Sequence, residues 1–426
     1  MWIGVSIFAL TYLVISARRL GWMPIGRPGG ALLGAVLCVA AGVLGPEAAL
    51  RAVDGHTLLL LFGMMGMGAF LAKEGFFDRA GEKLAAWART PARLLGALIW
   101  SSGALAALIT NDAVCVLGAP LVVGLIRRHS LPPLPFLLGL ATAANTGSVA
   151  TLVGNPQNML CAILGGLSYR SHLVLMLPVA IAGLAINHGL IWWMFRRELS
   201  ATSMTFGEEA ACLASDCPPG PSMCAAMGSN AGRLFTARII VALGGILISA
   251  LLYLLGADLA WTAAGGCAFL LLALRPDPEE IWSRVDWSVL LFFAGLFVVV
   301  EGLVQSGAPA WFFERFPLWA GDGSESWWRL SGLFLLGSNV VSNVPFILVV
   351  REPVTALADP RLGWELLAMA STFAGNLTLI GSVANIIVAE KAREVGGLGF
   401  WEYLRVGAPL TLLTTALGTA WVLLVW

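Results

Sequence analysis

The sequence predicts an all-α polytopic membrane protein built from two inverted repeats, with about ten transmembrane helices and two re-entrant helical hairpins. Three observations carry this expectation. Apolar runs of about 17–25 residues recur along the whole chain, the length a bilayer core demands of a helix. The chain is 58% hydrophobic and only 12% charged, with a mean hydropathy of +0.84, which is too apolar for a soluble surface. Polar motifs interrupt the apolar runs in pairs, in the same order in both halves.

Other classes are excluded by the same composition. Net charge is zero, so no basic face suits nucleic acid. Of the 17 Trp, several stand at helix ends, among them Trp2, Trp192, Trp193, Trp327, Trp328 and Trp426, as interfacial anchors do. Cys38, Cys115, Cys161 and Cys267 lie in apolar runs, where Cys serves as small buried filler. Cys212, Cys217 and Cys224 share a loop, but no His or carboxylate cluster completes a metal site there. The first run, Trp2–Ala17, lacks a basic start and a cleavage site, and reads as a retained helix.

The helices are expected at about 2–17, 30–48, 56–73, 135–168, 174–195, 236–255, 259–275, 287–306, 362–390 and 404–425. Two further stretches, 93–126 and 327–350, each read as two short arms around a polar tip. The tips are Thr110-Asn111-Asp112 and Ser342-Asn343. Such arms are expected of hairpins that return to the side they left, since backbone leaves the helix at membrane depth only where protein or a wet cavity satisfies it. With the N-terminus outside, 19 of the 25 Lys and Arg then fall on the cytoplasmic side, including Arg18, Arg19, Arg27 and Arg233. That agrees with the positive-inside rule and with an inner-membrane protein. The polar, Pro-rich segment 199–232 reads as a flexible cytoplasmic linker between repeats 1–198 and 233–426.

The repeat is legible as an offset. Val53-Asp54 and Val285-Asp286 lie 232 residues apart, as do Gly63 and Gly295, Gly75 and Gly307, and the tip residues Asn111 and Asn343. Further on the offset becomes 227, and Thr151, Leu152, Gly154 and Asn158 face Thr378, Leu379, Gly381 and Asn385. Each half has five crossings, an odd number, so the halves are expected upside down relative to each other, a common plan of secondary transporters.

The candidate site is the set of paired breaks: Thr110, Asn111, Asp112, Gly154, Asn155, Asn158, Ser342, Asn343, Gly381, Ser382 and Asn385. A broken helix presents N–H groups that suit an anion at one end and carbonyls that suit a cation at the other. Na⁺ candidates are Asn111, Asp112, Gly154, Asn343 and Gly381. Asp112 is the coupling candidate, because an ionisable group at membrane depth is costly and defaults to a functional reading. Its structural alternative is a cap on the returning hairpin arm. Close packing through small residues is the alternative for the Asn/Gly breaks. Glu301 is read as either snorkelling or a site residue, and Asn145, Asn187 and Asn376 as interhelical hydrogen-bond partners.

These motifs, with Leu131-Pro132-Pro133-Leu134-Pro135-Phe136, Ser342-Asn343-Val344-Pro345 and the run Ala374–Asn385, resemble the ion transporter superfamily along essentially the whole chain. That group includes arsenite permeases, citrate and divalent-anion/sodium symporters, and some sodium/proton antiporters. The resemblance implies two inverted repeats, each giving one hairpin and one broken helix to a central site, and a homodimer. The dicarboxylate branch carries Ser-Asn-Thr at both tips, whereas here the tips read Thr-Asn-Asp and Ser-Asn-Val. Thr-Asn-Asp is more similar to the arsenite-permease branch, and the departure favours H⁺ coupling over a two-Na⁺ mechanism.

The expected function is secondary active transport of a small anion or oxyacid, arsenite-type or inorganic or carboxylate, coupled to H⁺ or Na⁺ by alternating access. The alternatives are a sodium/proton antiporter, a passive channel and an intramembrane enzyme. Against an enzyme, neither a His-Glu-x-x-His nor a Gly-x-Ser-x-Gly motif occurs. No cofactor is expected besides the coupling ion. There is no P-loop motif, so an arsenite-pump-like arrangement would take its ATPase from a separate subunit.

Overall fold

The computed structural model describes residues 1–16, 26–202, 235–318 and 324–426. Arg18, Arg19, Arg233, Cys212, Cys217, Cys224 and nearly all of the 199–232 linker lie outside the described residues. Among the described residues every regular element is helical. The first half runs α1 (Trp2–Ser16), α2 (Gly26–Ala40), α3 (Pro46–Ala52), α4 (Gly55–Lys73), α5 (Phe76–Ala88), α6 (Pro91–Leu108), α7 (Asn111–His129), α8 (Pro133–Ser148), α9 (Pro156–Gly165) and α10 (Tyr169–Ala201). The second runs α11 (Ala237–Leu254), α12 (Leu259–Leu274), α13 (Pro278–Trp282), α14 (Trp287–Gln305), α15 (Ala308–Arg315), α16 (Ser324–Val341), α17 (Asn343–Thr355), α18 (Pro360–Ala374), α19 (Val383–Ala392) and α20 (Phe400–Val425).

The two lists match element by element, and local chemistry explains why. Asp54 and Asp286 each cap the following helix, accepting from the N–H groups two and three residues on. Gly75 and Gly307 each take a left-handed φ, of 69° and 76°, and turn the chain into α5 and α15. Pro133 and Pro360 open α8 and α18, where a missing N–H costs nothing. Packing follows the same symmetry. α2 lies on α14 as α12 lies on α4, α7 on α19 as α17 on α9, and α6 on α8 as α16 on α18.

Among the described residues six helices are long and apolar enough to cross a membrane: α4, α6, α10, α11, α14 and α20. α1, α2 and α12 are shorter apolar helices. Several expected boundaries are corrected. The 30–48 helix ends at Ala40, and Pro46 starts a separate short helix, since Gly42 turns the chain at φ 69°. The 174–195 helix extends to Tyr169–Ala201. The amphipathic α5 and α15 were not foreseen, because their apolar stripes are shorter than a span.

The hairpins also need one correction. α6, α7 and α16 have 18, 19 and 18 residues, so these arms are not short, whereas α17, with 13, is. The reversal is instead visible in packing. Arg128, at the far end of α7, comes within 3.8 Å of Glu82 on α5, just before α6 begins. In the second half Arg351 of α17 pairs at 3.2 Å with Glu301 near the end of α14. Glu301 is therefore held in an ion pair beside the hairpin.

Candidate functional site

The first tip is ordered by Thr110, whose hydroxyl accepts from the Ala113 N–H at 3.2 Å and so caps α7. The structural alternative, that Asp112 caps this arm, is thereby set aside. The Asp112 side chain points across the molecule toward the backbone N–H of Ala384, in the first turn of α19, with Arg27 and Asp286 in its electrostatic surroundings. Ser382, which precedes α19, makes no cap bond to that helix. A carboxylate from the first half thus faces the buried, uncapped N-terminus of a helix in the second, where a negative charge is favoured.

Each tip also meets a break in its own half. The Asn111 N–H donates to the Gly154 carbonyl at 2.8 Å. The Asn343 amide donates to the Gly381 carbonyl at 3.3 Å. The second tip carries strain that the first does not. Ser342 has φ 69° and ψ 152°, a region that is essentially glycine's, whereas Thr110 is extended. The Ser342 side chain lies near the Tyr12 hydroxyl of α1.

Behind the tips lies a buried network with near two-fold equivalence. Asn158 donates to the carbonyls of Ser148 and Thr151, at 3.2 and 3.0 Å. Asn385, 227 residues on, donates to those of Gly375 and Thr378, at 2.7 and 3.1 Å. Two carbonyls at each break, those of Ser148 and Thr151 and of Gly375 and Thr378, are therefore taken up within the protein. The amide oxygens of Asn158 and Asn385 in turn accept from Thr372 at 2.9 Å and Asn145 at 2.9 Å, each from the opposite half. Asn155 donates to Thr372 at 3.0 Å as Ser382 donates to Asn145 at 3.2 Å. Asn145 also accepts from Asn111 at 2.9 Å and donates to Asn376 at 3.1 Å, which makes it the hub.

The sequence candidates divide accordingly. Asn111, Asp112, Ser342, Asn343, Gly381 and Ser382 line one cavity, so the two tips meet. Thr110, Gly154, Asn155, Asn158 and Asn385 stand behind it and hold the breaks in shape. Arg27 and Gln157 also line the cavity and were not among the candidates. Arg27 had been assigned to the cytoplasmic surface by charge counting, and only its position in space reveals it. The charged side chains lining the cavity are Arg27 and Asp112; the remaining polar ones are Asn111, Gln157, Ser342, Asn343 and Ser382, with Phe292 and Phe293 on the apolar wall. Oδ1 of Asn343 is buried and has no hydrogen-bond partner.

Paired helix breaks around a shared polar cavity, inside an apolar polytopic bundle, define a membrane transporter. The chain belongs to the CitMHS citrate transporter family, whose profile matches residues 12–374. It is 33% identical to the silicon efflux transporter LSI3 of rice, over 97% of this chain and 96% of that one. It is 27% identical to a transporter named arsB in Dictyostelium discoideum, over 95% of this chain and 88% of the relative. Its fold is similar to that of the YdaH transporter of Alcanivorax borkumensis, with a TM-score of 0.51 at 16% identity, covering 99% and 96% of the two chains.

Proposed function

We propose that this transporter carries a small anion or oxyacid by secondary active transport, with the cavity between the two tips as the solute site. The observation that carries the reading is the convergence of both tips on one cavity with a single cation and a single carboxylate. Arg27 offers charge to an anionic or strongly polarised oxygen. The unpartnered Oδ1 of Asn343 accepts from a solute hydroxyl or holds a cation. Phe292 and Phe293 keep water from the remaining wall. Relatives named for silicon efflux and arsB support an oxyacid over a larger carboxylate.

Asp112 is the coupling group in this reading, exchanging a proton or holding Na⁺ while the cavity changes sides. The halves are inverted repeats 1–198 and 233–426 joined by the 199–232 linker, and they move against each other as in alternating access. The positive-inside orientation puts Arg27 and Asp286 toward the cytoplasm, so the cavity as described faces inward. A homodimer is the working assembly, and an ATPase partner would be a separate subunit.

The test is flux in proteoliposomes with a panel of oxyacids and anions, under an imposed pH gradient and then an imposed Na⁺ gradient. Saturable, gradient-driven uptake of one of them is expected. A response of lumenal pH to Na⁺ alone, with no solute accumulated, would instead identify a sodium/proton antiporter.

A further inference from the structure

Away from the cavity, one pair of ionisable side chains is buried on both sides. His172, in the first turn of α10, is 0% exposed, and Glu365 of α18 is 1% exposed. The imidazole Nδ1 lies 2.6 Å from Oε2 of Glu365. Its Nε2 lies 3.1 Å from the carbonyl of Val149, the residue at which α8 ends and the first break begins. A carbonyl only accepts, so Nε2 carries a proton. At 2.6 Å the other nitrogen and the carboxylate must share a second proton, because two bare lone pairs would repel at that distance. Whether that proton rests on the ring or on the carboxyl, the pair is neutral. Without it a net negative charge would be buried with no counter-charge, which is strongly unfavourable.

Among the described residues no counter-charge stands beside this pair, which leaves the shared proton to make it neutral. Residues 133–179 and 360–372 contain four other ionisable side chains: Cys161, Tyr169, Arg170 and Arg361. Cys161 of α9 is buried beside Glu365. The Tyr169 hydroxyl lies near Thr151, and its ring lies 5.3 Å from that of Tyr253 on α11. Arg170 and Arg361 are exposed. On α16 and α17, which also pack on α18, Arg329 and Glu352 are exposed and Arg351 is paired with Glu301. The other half has no equivalent pair, because Leu138 stands 227 residues before Glu365.

We propose that His172, Glu365 and the Val149 carbonyl form a proton-binding clasp: one proton held between ring and carboxylate keeps the first break closed against α18, and its loss releases the break. This is a second proton site, distinct from Asp112 and independent of which solute is carried. The sign follows from the proton count. The closed form holds one proton more than the open form, so rising pH favours opening, about tenfold per pH unit for one proton.

The test is hydrogen exchange of the backbone amides of residues 149–155 in the reconstituted full chain, followed over pH and corrected for intrinsic exchange. In the wild type the opening equilibrium of this segment should rise about tenfold per pH unit on the alkaline side. In Glu365→Gln the side-chain amide donates to Nδ1 without titrating, so protection should persist and become independent of pH. A flat wild-type profile, or an equal slope in Glu365→Gln, overturns the clasp. Should Glu365→Gln fail to fold, nitrogen-15 spectra of the wild type decide, since there are four imidazoles to resolve. One ring must keep Nε2 protonated while its Nδ1 resonance moves over the pH interval in which protection falls. Absence of such a ring also overturns the proposal. None of these readouts depends on transport, so they stand apart from the proposed function.

Discussion

Asp112 and Ala384 belong to opposite halves of the chain, yet the carboxylate of the first faces the backbone N–H of the second. This approach brings the tip of the first hairpin to the first turn of α19, and Asp112 sits on the wall of the cavity. It sets Asp112 in two environments at once, beside a helix N-terminus and on the cavity wall.

Asp112→Asn separates the two. The amide keeps the size of the carboxylate and an oxygen that can face the Ala384 N–H, so folding should survive. Uphill flux under a pH gradient should fall to background, while exchange down the solute gradient continues. Flux measured under pH and Na⁺ gradients in both proteins checks this; unchanged coupling under both would remove Asp112 from the coupling step.

The hub can be tested by stability. Asn145→Ala takes the donor from Asn376 and Asn385 and the acceptor from Asn111 and Ser382. Each buried polar group left unpaired costs about 1–3 kcal/mol. Tm should therefore drop markedly. Thr372→Val, which removes the donor to Asn158, should lower it in the same direction by less, since fewer bonds are lost.

Close helix contact should depend on one glycine. A Cβ at Gly147 of α8 would run into the backbone of Gly103 on α6, where neither side can yield. Gly147→Ala should cost about 1–3 kcal/mol or more by overpacking. Gly189 of α10 is exposed, with open space where a Cβ would go. Gly189→Ala should be neutral or stabilising by about 0.4–1 kcal/mol. Unfolding of the two variants in the same detergent compares them directly.

The strained tip gives a fourth expectation. Strain of the kind held at Ser342 amounts to about 1–3 kcal/mol. Ser342→Gly relieves it, so Tm should stay at or rise above the wild-type value. Ser342→Val keeps the strain and adds branching, and should be clearly less stable. Equal Tm for Gly and Val would show that the backbone there is unstrained.

Much of this molecule is readable from spacing. A 232-residue offset locates both tips, both Asp caps and both Gly turns, because each depends on local chemistry that a sequence displays. The paired breaks are readable for the same reason, as Gly, Asn and Pro interrupt an apolar run. What spacing does not display is partnership at long range. Asp112 looks like a cap for its own helix, and only the packing of α7 on α19 shows that it faces another. Arg27 looks like an interfacial charge until α2 is placed beside the tips. His172 and Glu365 are 193 residues apart and share no motif, so nothing in the string joins them. Asn145 reads as one more polar residue in a helix, and its several partners come from elements far along the chain.

The equivalence of the two breaks has a consequence for direction. If the halves were chemically identical, exchanging their conformations would yield the same molecule seen from the other face of the bilayer, and the inward and outward forms would be isoenergetic. Here Asp112 stands opposite Val344, and Glu365 opposite Leu138. Both carboxylates are thus one-sided features on a two-sided frame. Under the proposed alternating access they are expected to bias the resting carrier toward one orientation, with the ionic conditions on a single face of the membrane setting how strongly.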